Sequence, residues 1–133
     1  MLTLRRSRDV RLVRQLHDET FPEDSWEDAD AYWVARESGR PVGFCSVRHC
    51  FGEPSAFLTR AGVLPAGRGK GLQRRMIDVR CRWAKQEGVE YVITYTTRDN
   101  YPSITNLLRS GFRFYEPAVP WAGPDVFYFQ RRL

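Results

Sequence analysis

Apolar residues recur along this chain in two rhythms, a simple alternation and a three-to-four step. The switches between them mark the elements. Leu2 to Arg6 alternates and predicts a first strand. A helical pattern follows, with Val10, Val13, Leu16 and His17 on one face and arginines opposite, and with Ser7 as the expected N-cap. Residues 18–30, with Phe21-Pro22 and Trp26, read as a loop with room for one helical turn. Ala31 to Glu37 and Val42 to Cys50 read as a hairpin about Ser38-Gly39-Arg40-Pro41. After the Gly52-Glu53-Pro54 turn, Ser55 to Leu64 is a long strand, with Gly62 as an expected bulge and Pro65 as its stop.

The second half opens with Gly67-Arg68-Gly69-Lys70-Gly71, which feeds a helix ending at Gly88. Leu72, Met76, Val79 and Trp83 form its apolar stripe, and Arg74, Asp78 and Arg82 a polar row of i,i+4 pairs. Tyr91 to Thr97 is an apolar, β-branched strand. Arg98-Asp99-Asn100 breaks it, a short helix runs from about Pro102 to Ser110, and Gly111 is the expected C′ residue. Phe112 to Tyr115 is a strand. A loop with Pro117, Pro120, Trp121 and Pro124 precedes the final strand, Val126 to Gln130. Antiparallel strands come first and a strand–helix–strand crossover follows, so the fold class is α/β (α+β) with a mixed sheet.

Length changes this picture little: 133 residues, 42% hydrophobic and 28% charged, predict one soluble domain over 1–133. No repeat or Pro/Gly/Ser linker divides it. No apolar run approaches the roughly 18 residues of a membrane span, and no apolar signal core follows Met1. Cys45, Cys50, Cys81, His17 and His49 have no metal-ligand spacing, so no metal is expected, and a reducing cytoplasm is the expected compartment.

Charge changes it more. The net charge is +5, and 19 of the 21 basic residues are arginine. Residues 18–30 hold seven acids and no Lys or Arg, so this segment is −7 and the remainder +12. A bare excess of arginine suggests nucleic acid. The separated charges instead suggest an anionic ligand and a cationic one.

The glycine-rich turn is where an anion belongs. A helix N-terminus presents unpaired N–H groups and the positive end of the dipole. Gly67, Gly69 and Gly71 permit close backbone approach, and Arg68 and Lys70 add charge. A P-loop needs Ser or Thr after Gly-Lys, where this chain has Gly71. A dinucleotide fold needs an acid at the end of the next strand, and Asp99 comes too late.

Val63-Leu64-Pro65 followed by Arg68-Gly69-Lys70-Gly71-Leu72-Gln73 resembles the acyl-CoA pyrophosphate loop of the GNAT N-acetyltransferase superfamily, with Gln73 where that loop has Gly or Ala. Asn100-Tyr101-Pro102-Ser103-Ile104, Leu107 and Gly111-Phe112 resemble its second signature. The resemblance extends over the whole element order. It implies a mostly antiparallel sheet of about seven strands with three or four helices, and acetyl transfer from acetyl-CoA directly to an amine. It implies that Arg68, Gly69, Lys70, Gly71 and Leu72 contact the pyrophosphate, that the Val63 amide faces the thioester carbonyl, and that Asn100 and Ser103 touch the cofactor. The tyrosine that the family uses to protonate the leaving thiolate aligns with Leu107; Tyr101, Tyr95 and Tyr115 are the substitutes.

The amine must lose a proton to attack, so a base is needed. The resemblance implies that the acidic segment borders the acceptor pocket. Glu23, Asp24 and Glu27 are the expected bases and acceptor contacts, with Trp26 as a wall. Glu53, His49 and Cys50 are weaker candidates, and Trp33 and Trp121 are further walls. The expected partner is a small-molecule or peptide amine. Two alternatives stand: a non-catalytic acyl-CoA sensor, and a small nucleic-acid-binding module. The last strand is an expected edge through which a homodimer could form.

Overall fold

The computed structural model describes all residues from Met1 to Leu133. The elements are β1 (Leu2–Ser7), α1 (Val10–Thr20), β2 (Ala31–Glu37), β3 (Arg40–His49), β4 (Ser55–Val63), a 3-10 turn (Pro65–Gly67), α2 (Leu72–Gln86), β5 (Tyr91–Thr97), α3 (Tyr101–Arg109), β6 (Arg113–Phe114) and β7 (Val126–Arg132). The strand order is β1-β2-β3-β4-β5-β7-β6. β4 and β5 pair in parallel over Ser55–Phe57 and Tyr91–Ile93, whereas β1–β2, β2–β3, β5–β7 and β6–β7 are antiparallel. The expected mixed, mostly antiparallel sheet of seven strands is therefore found, with three α-helices.

The chain packs as two compact units, residues 1–48 with 59–76, and residues 49–58 with 77–133. In the first, α1 lays Val13 and Leu16 against Tyr32, Val34 and Phe44. Val10, expected on that face, is 41% exposed. The cap of α1 also differs: Asp9, not Ser7, accepts the Leu12 N–H at 3.2 Å, and Ser7 Oγ accepts the Asp9 N–H one step outside. The helix runs through Thr20, because Thr20 Oγ1 and the Phe21 N–H close its last turn on the Leu16 and His17 carbonyls.

Two glycines set the distances in this unit. A Cβ at Gly43 would lie 2.8 Å from the Gly62 carbonyl and 3.2 Å from Met76 Cε. A Cβ at Gly62 would overlap the Thr20 side chain and come 2.7 Å from Phe44 Cε1. Gly62 thus permits a close approach of α1 and β3 to the end of β4. The register shift lies in β2, between Ala35 and Arg36.

In the second unit Val92, Phe112 and Phe129 are fully buried, and Thr94 Oγ1 donates to the Leu58 carbonyl at 3.2 Å. Asn100 caps α3 by accepting the Ser103 N–H. At the other end Gly111 has φ +87°, and the Phe112 and Gly111 N–H groups bond back to the carbonyls of Leu107 and Leu108. That is a Schellman closure, as the sequence predicts. β7 lies between β5 and β6, so it is not the free edge that a dimer through the last strand requires; the edges are β1 and the two-residue β6.

Candidate active site

The first unit contains a cleft of about 410 Å³ at the carboxyl end of β4. Glu19, Thr20 and Phe21, from the end of α1, line one side. Arg68, Gly69, Leu72 and Gln73, from the turn and first residues of α2, line another, and Gly62 and Val63 lie on β4. A volume of this size suits a small-molecule site.

The α2 side is built for an anion. Gly69 and Gly71 have φ +75° and +71°, a conformation that costs other residues about 1 kcal/mol or more. No atom stands within 4 Å of where their Cβ atoms would be, so the turn is open to a ligand. The first helical bond runs from the Arg75 N–H to the Gly71 carbonyl. The Leu72 and Gln73 N–H groups therefore have no acceptor inside the helix. Leu72 itself is buried at 3%, which fixes the helix end to the sheet. Arg68 lines the cleft with an exposed side chain, whereas Lys70 Nζ pairs with Glu37 Oε2 at 3.3 Å. These features fit a diphosphate, the group through which acetyl-CoA would be held.

The Leu64 N–H bonds to the Val42 carbonyl at 2.8 Å. Successive residues of a strand point their N–H groups to opposite sides, so the Val63 N–H points away from β3.

The α1 side is negative. The carbonyls of the last helical turn carry the negative end of the dipole, and Glu19 adds a carboxylate. Glu23, Asp24 and Glu27 do not line the cleft. Asp24 Oδ2 pairs with Arg60 Nη1 at 2.7 Å, and Arg60 stacks over Phe21 at 5.0 Å. Trp26 stacks on Tyr32 at 5.8 Å, and its N–H donates to Asp28. The expected wall is thus a structural brace for the segment after α1. The sequence places Glu19 among the acids of the block, behind Glu23, Asp24 and Glu27, and does not single out Thr20 and Phe21; the available signal was that the helical pattern runs on from His17 without a break.

Other candidates fall elsewhere. His49 Nε2 meets Glu87 Oε1 at 3.2 Å, and its ring lies 4.9 Å from that of Trp83. The Cys50 carbonyl accepts the Glu53 N–H in a turn, so His49, Cys50 and Glu53 are outside the cleft. Trp33 is buried under Arg6. Trp121 packs on Phe57, Tyr95 and Tyr128, and its N–H points to the Tyr115 hydroxyl at 3.4 Å. Tyr101 is 70% exposed in the first turn of α3, while Leu107 is buried at 5%. Burial raises the Cys81 thiol above its usual range, with Arg131 opposing the shift. No group of three or more His, Cys, Asp or Glu side chains is placed to hold a metal ion, and no helix is long and apolar enough to cross a membrane.

A mycothiol acetyltransferase of Saccharomonospora viridis is 33% identical over 122 residues, 86% of this chain but 38% of the relative. The chain thus spans little more than a third of that protein. An IAA acetyltransferase of Bacillus cereus superposes over the full length of both chains with a TM-score of 0.82 at 13% identity. A Bacillus subtilis acetyltransferase solved in complex with CoA superposes over 100% of this chain and 99% of its own, with a TM-score of 0.78 at 12% identity. Residues 2–112 match the family model described as "Acetyltransferase (GNAT) family", and the chain belongs to that family.

Proposed function

We propose that this chain binds acetyl-CoA and transfers its acetyl group to a primary amine held near the carboxyl end of α1. One observation carries the reading: a single cleft is lined by the glycine-rich start of α2, the end of β4 and the acid-bearing end of α1. Helix dipoles of opposite sense therefore meet one cleft, and each favours the charge its ligand brings.

Acetyl-CoA supplies an activated acyl carbon that an amine attacks directly, with a thiol as the leaving group. Arg68, Gly69, Lys70, Gly71 and Leu72 hold the pyrophosphate, through backbone N–H groups and the Arg68 fork. The Val63 N–H donates to the acyl oxygen as negative charge develops there. Glu19 holds the incoming ammonium and accepts its proton, the role that Glu23 and Asp24 were expected to fill. The departing thiol needs no strong acid, its ordinary pKa being about 8.5. This accommodates a buried leucine at position 107.

Calorimetry tests the loop. The native chain binds acetyl-CoA, whereas Arg68→Glu and Gly71→Glu lose at least tenfold in affinity with unchanged circular dichroism. Unchanged affinity in both variants overturns the assignment. Thiol release over an amine panel separates a transferase from a sensor, which releases none.

A further inference from the structure

Resting on that reading, we propose that the acceptor is a zwitterion: an amine seated at Glu19, joined by a short spacer to an anionic group seated at Arg14 and Arg11. Glu19 lines two depressions. One is the cleft already described. The other, about 470 Å³, follows the outer face of α1 and is lined by Arg11, Arg14, Gln15, Asp18 and Glu19. An acceptor whose nitrogen meets Glu19 therefore has its remainder directed along this helix.

The groove is dipolar, positive toward the start of α1 and negative toward its end. Arg11 and Arg14 are exposed and form no ion pair with a carboxylate. The one neighbour able to neutralise Arg14 at i,i+4 is Asp18, and Asp18 Oδ1 instead meets His17 Nδ1 at 3.0 Å. His17 is buried and aimed inward, so Asp18 is drawn back toward the helix. Two guanidinium forks are left beside one open groove.

This arrangement works against the helix itself. Basic residues stabilise a helix at its C-terminus and acids at its N-terminus, by about 0.3–1 kcal/mol each. In α1 Arg11 lies in the first turn, and Asp18 and Glu19 lie in the last. Helix stability does not account for such a placement. A ligand does: the helix dipole then acts with the side chains, favouring an anion at the start of α1 and an ammonium at its end. The α-carbon rise from Arg14 to Glu19 is about 7.5 Å, and from Arg11 to Glu19 about 12 Å. At about 1.25 Å per bond of an extended chain, those spans correspond to about six to ten bonds between amine and anion.

The test compares three amines that differ only in their far end: 6-aminohexanoate, hexylamine and 1,6-diaminohexane. 6-Aminohexyl phosphate forms a fourth arm that distinguishes a carboxylate from a phosphate. Acetyl transfer from acetyl-CoA is followed by thiol release and product mass. The expected order of kcat/KM is an anionic end, then the neutral end, then the cationic end. In Arg14→Gln the preference for 6-aminohexanoate over hexylamine falls about threefold, through the KM for the amine, as for a partly exposed charge pair. Arg11→Gln/Arg14→Gln abolishes the preference, while Arg82→Gln, on the exposed face of α2, retains it. Equal kcat/KM for all four amines, or preference for the diamine, overturns the zwitterion while leaving acetyl transfer intact. Acetylation of none of the four, or of hexylamine but neither anionic amine, also overturns it. Failure of acetyl-CoA to bind removes the parent reading instead.

Discussion

Thr20 lies directly against Gly62, so closely that a Cβ on Gly62 would overlap the Thr20 side chain and press on Phe44 at 2.7 Å. This contact brings the end of α1 to the end of β4 and so sets the width of the cleft. Neither neighbour can yield easily: Phe44 is buried at 1%, and Thr20 Oγ1 is tied to the helix by its bonds to the Leu16 and His17 carbonyls. Gly62→Ala is therefore expected to cost about 1–3 kcal/mol, the usual range for overpacking. Urea unfolding followed by fluorescence measures it. An unaltered midpoint would show that the end of α1 moves freely and that the cleft has no fixed width.

Glu19 and Glu23 are rivals for the role of base, and substitution separates them. Glu19→Gln should raise the KM for the amine and lower kcat/KM by about tenfold or more, as loss of general base assistance does. The KM for acetyl-CoA should hold, because Glu19 lies on the α1 side of the cleft. Glu23→Gln should lose less. The reverse order returns the role to Glu23, which is exposed on the segment after α1.

How much of this was legible in the sequence depends on which force fixed each feature. β5 was read with its observed bounds, Tyr91 to Thr97, because a β-branched run between polar breaks has no competing interpretation. The carboxyl end of α3 was read nearly as well, since Gly at C′ is local chemistry. The glycine-rich turn carried its own geometry, and Gly69 and Gly71 do adopt positive φ. What stayed hidden was set by contacts between distant residues. Ser7 and Asp9 are both good caps, and the backbone geometry at Asp9 decided between them. The return of β7 between β5 and β6 is a pairing choice that no local pattern shows. Seven acids within thirteen residues gave no sign of which one lines the cleft, because Asp24 pairs with Arg60 and Glu19 belongs to the helix before the segment.

The three cysteines should differ in reactivity. Cys45 and Cys81 are buried, and burial raises the Cys81 thiol, so its thiolate fraction at neutral pH falls below that of an ordinary cysteine. Cys50 is half-buried in a turn. Iodoacetamide at pH 7.5, read by peptide mass, should label Cys50 first and Cys81 only on unfolding. Early labelling of Cys81 in the folded chain contradicts the packing of α2 described above.

Lys70 poses a last question of shared charge. Its ammonium sits in the anion-binding turn, yet Glu37 Oε2 holds it at 3.3 Å with both side chains partly exposed. An exposed pair of this kind contributes little, so a diphosphate, with its higher charge, competes for the lysine on favourable terms. Removing the carboxylate should help the ligand. Glu37→Gln is expected to tighten acetyl-CoA binding about twofold at low ionic strength, with the gain fading near 1 M salt, where the screening length falls to about 3 Å. Lys70→Gln should weaken binding in the native background and cancel the gain in Glu37→Gln, since both act through one ammonium group. Calorimetric titration of the four chains at two salt concentrations closes this cycle. An additive result means that Glu37 acts on the ligand independently of Lys70, and an unchanged affinity in Lys70→Gln means that the phosphate is held by Arg68 and the backbone of the turn.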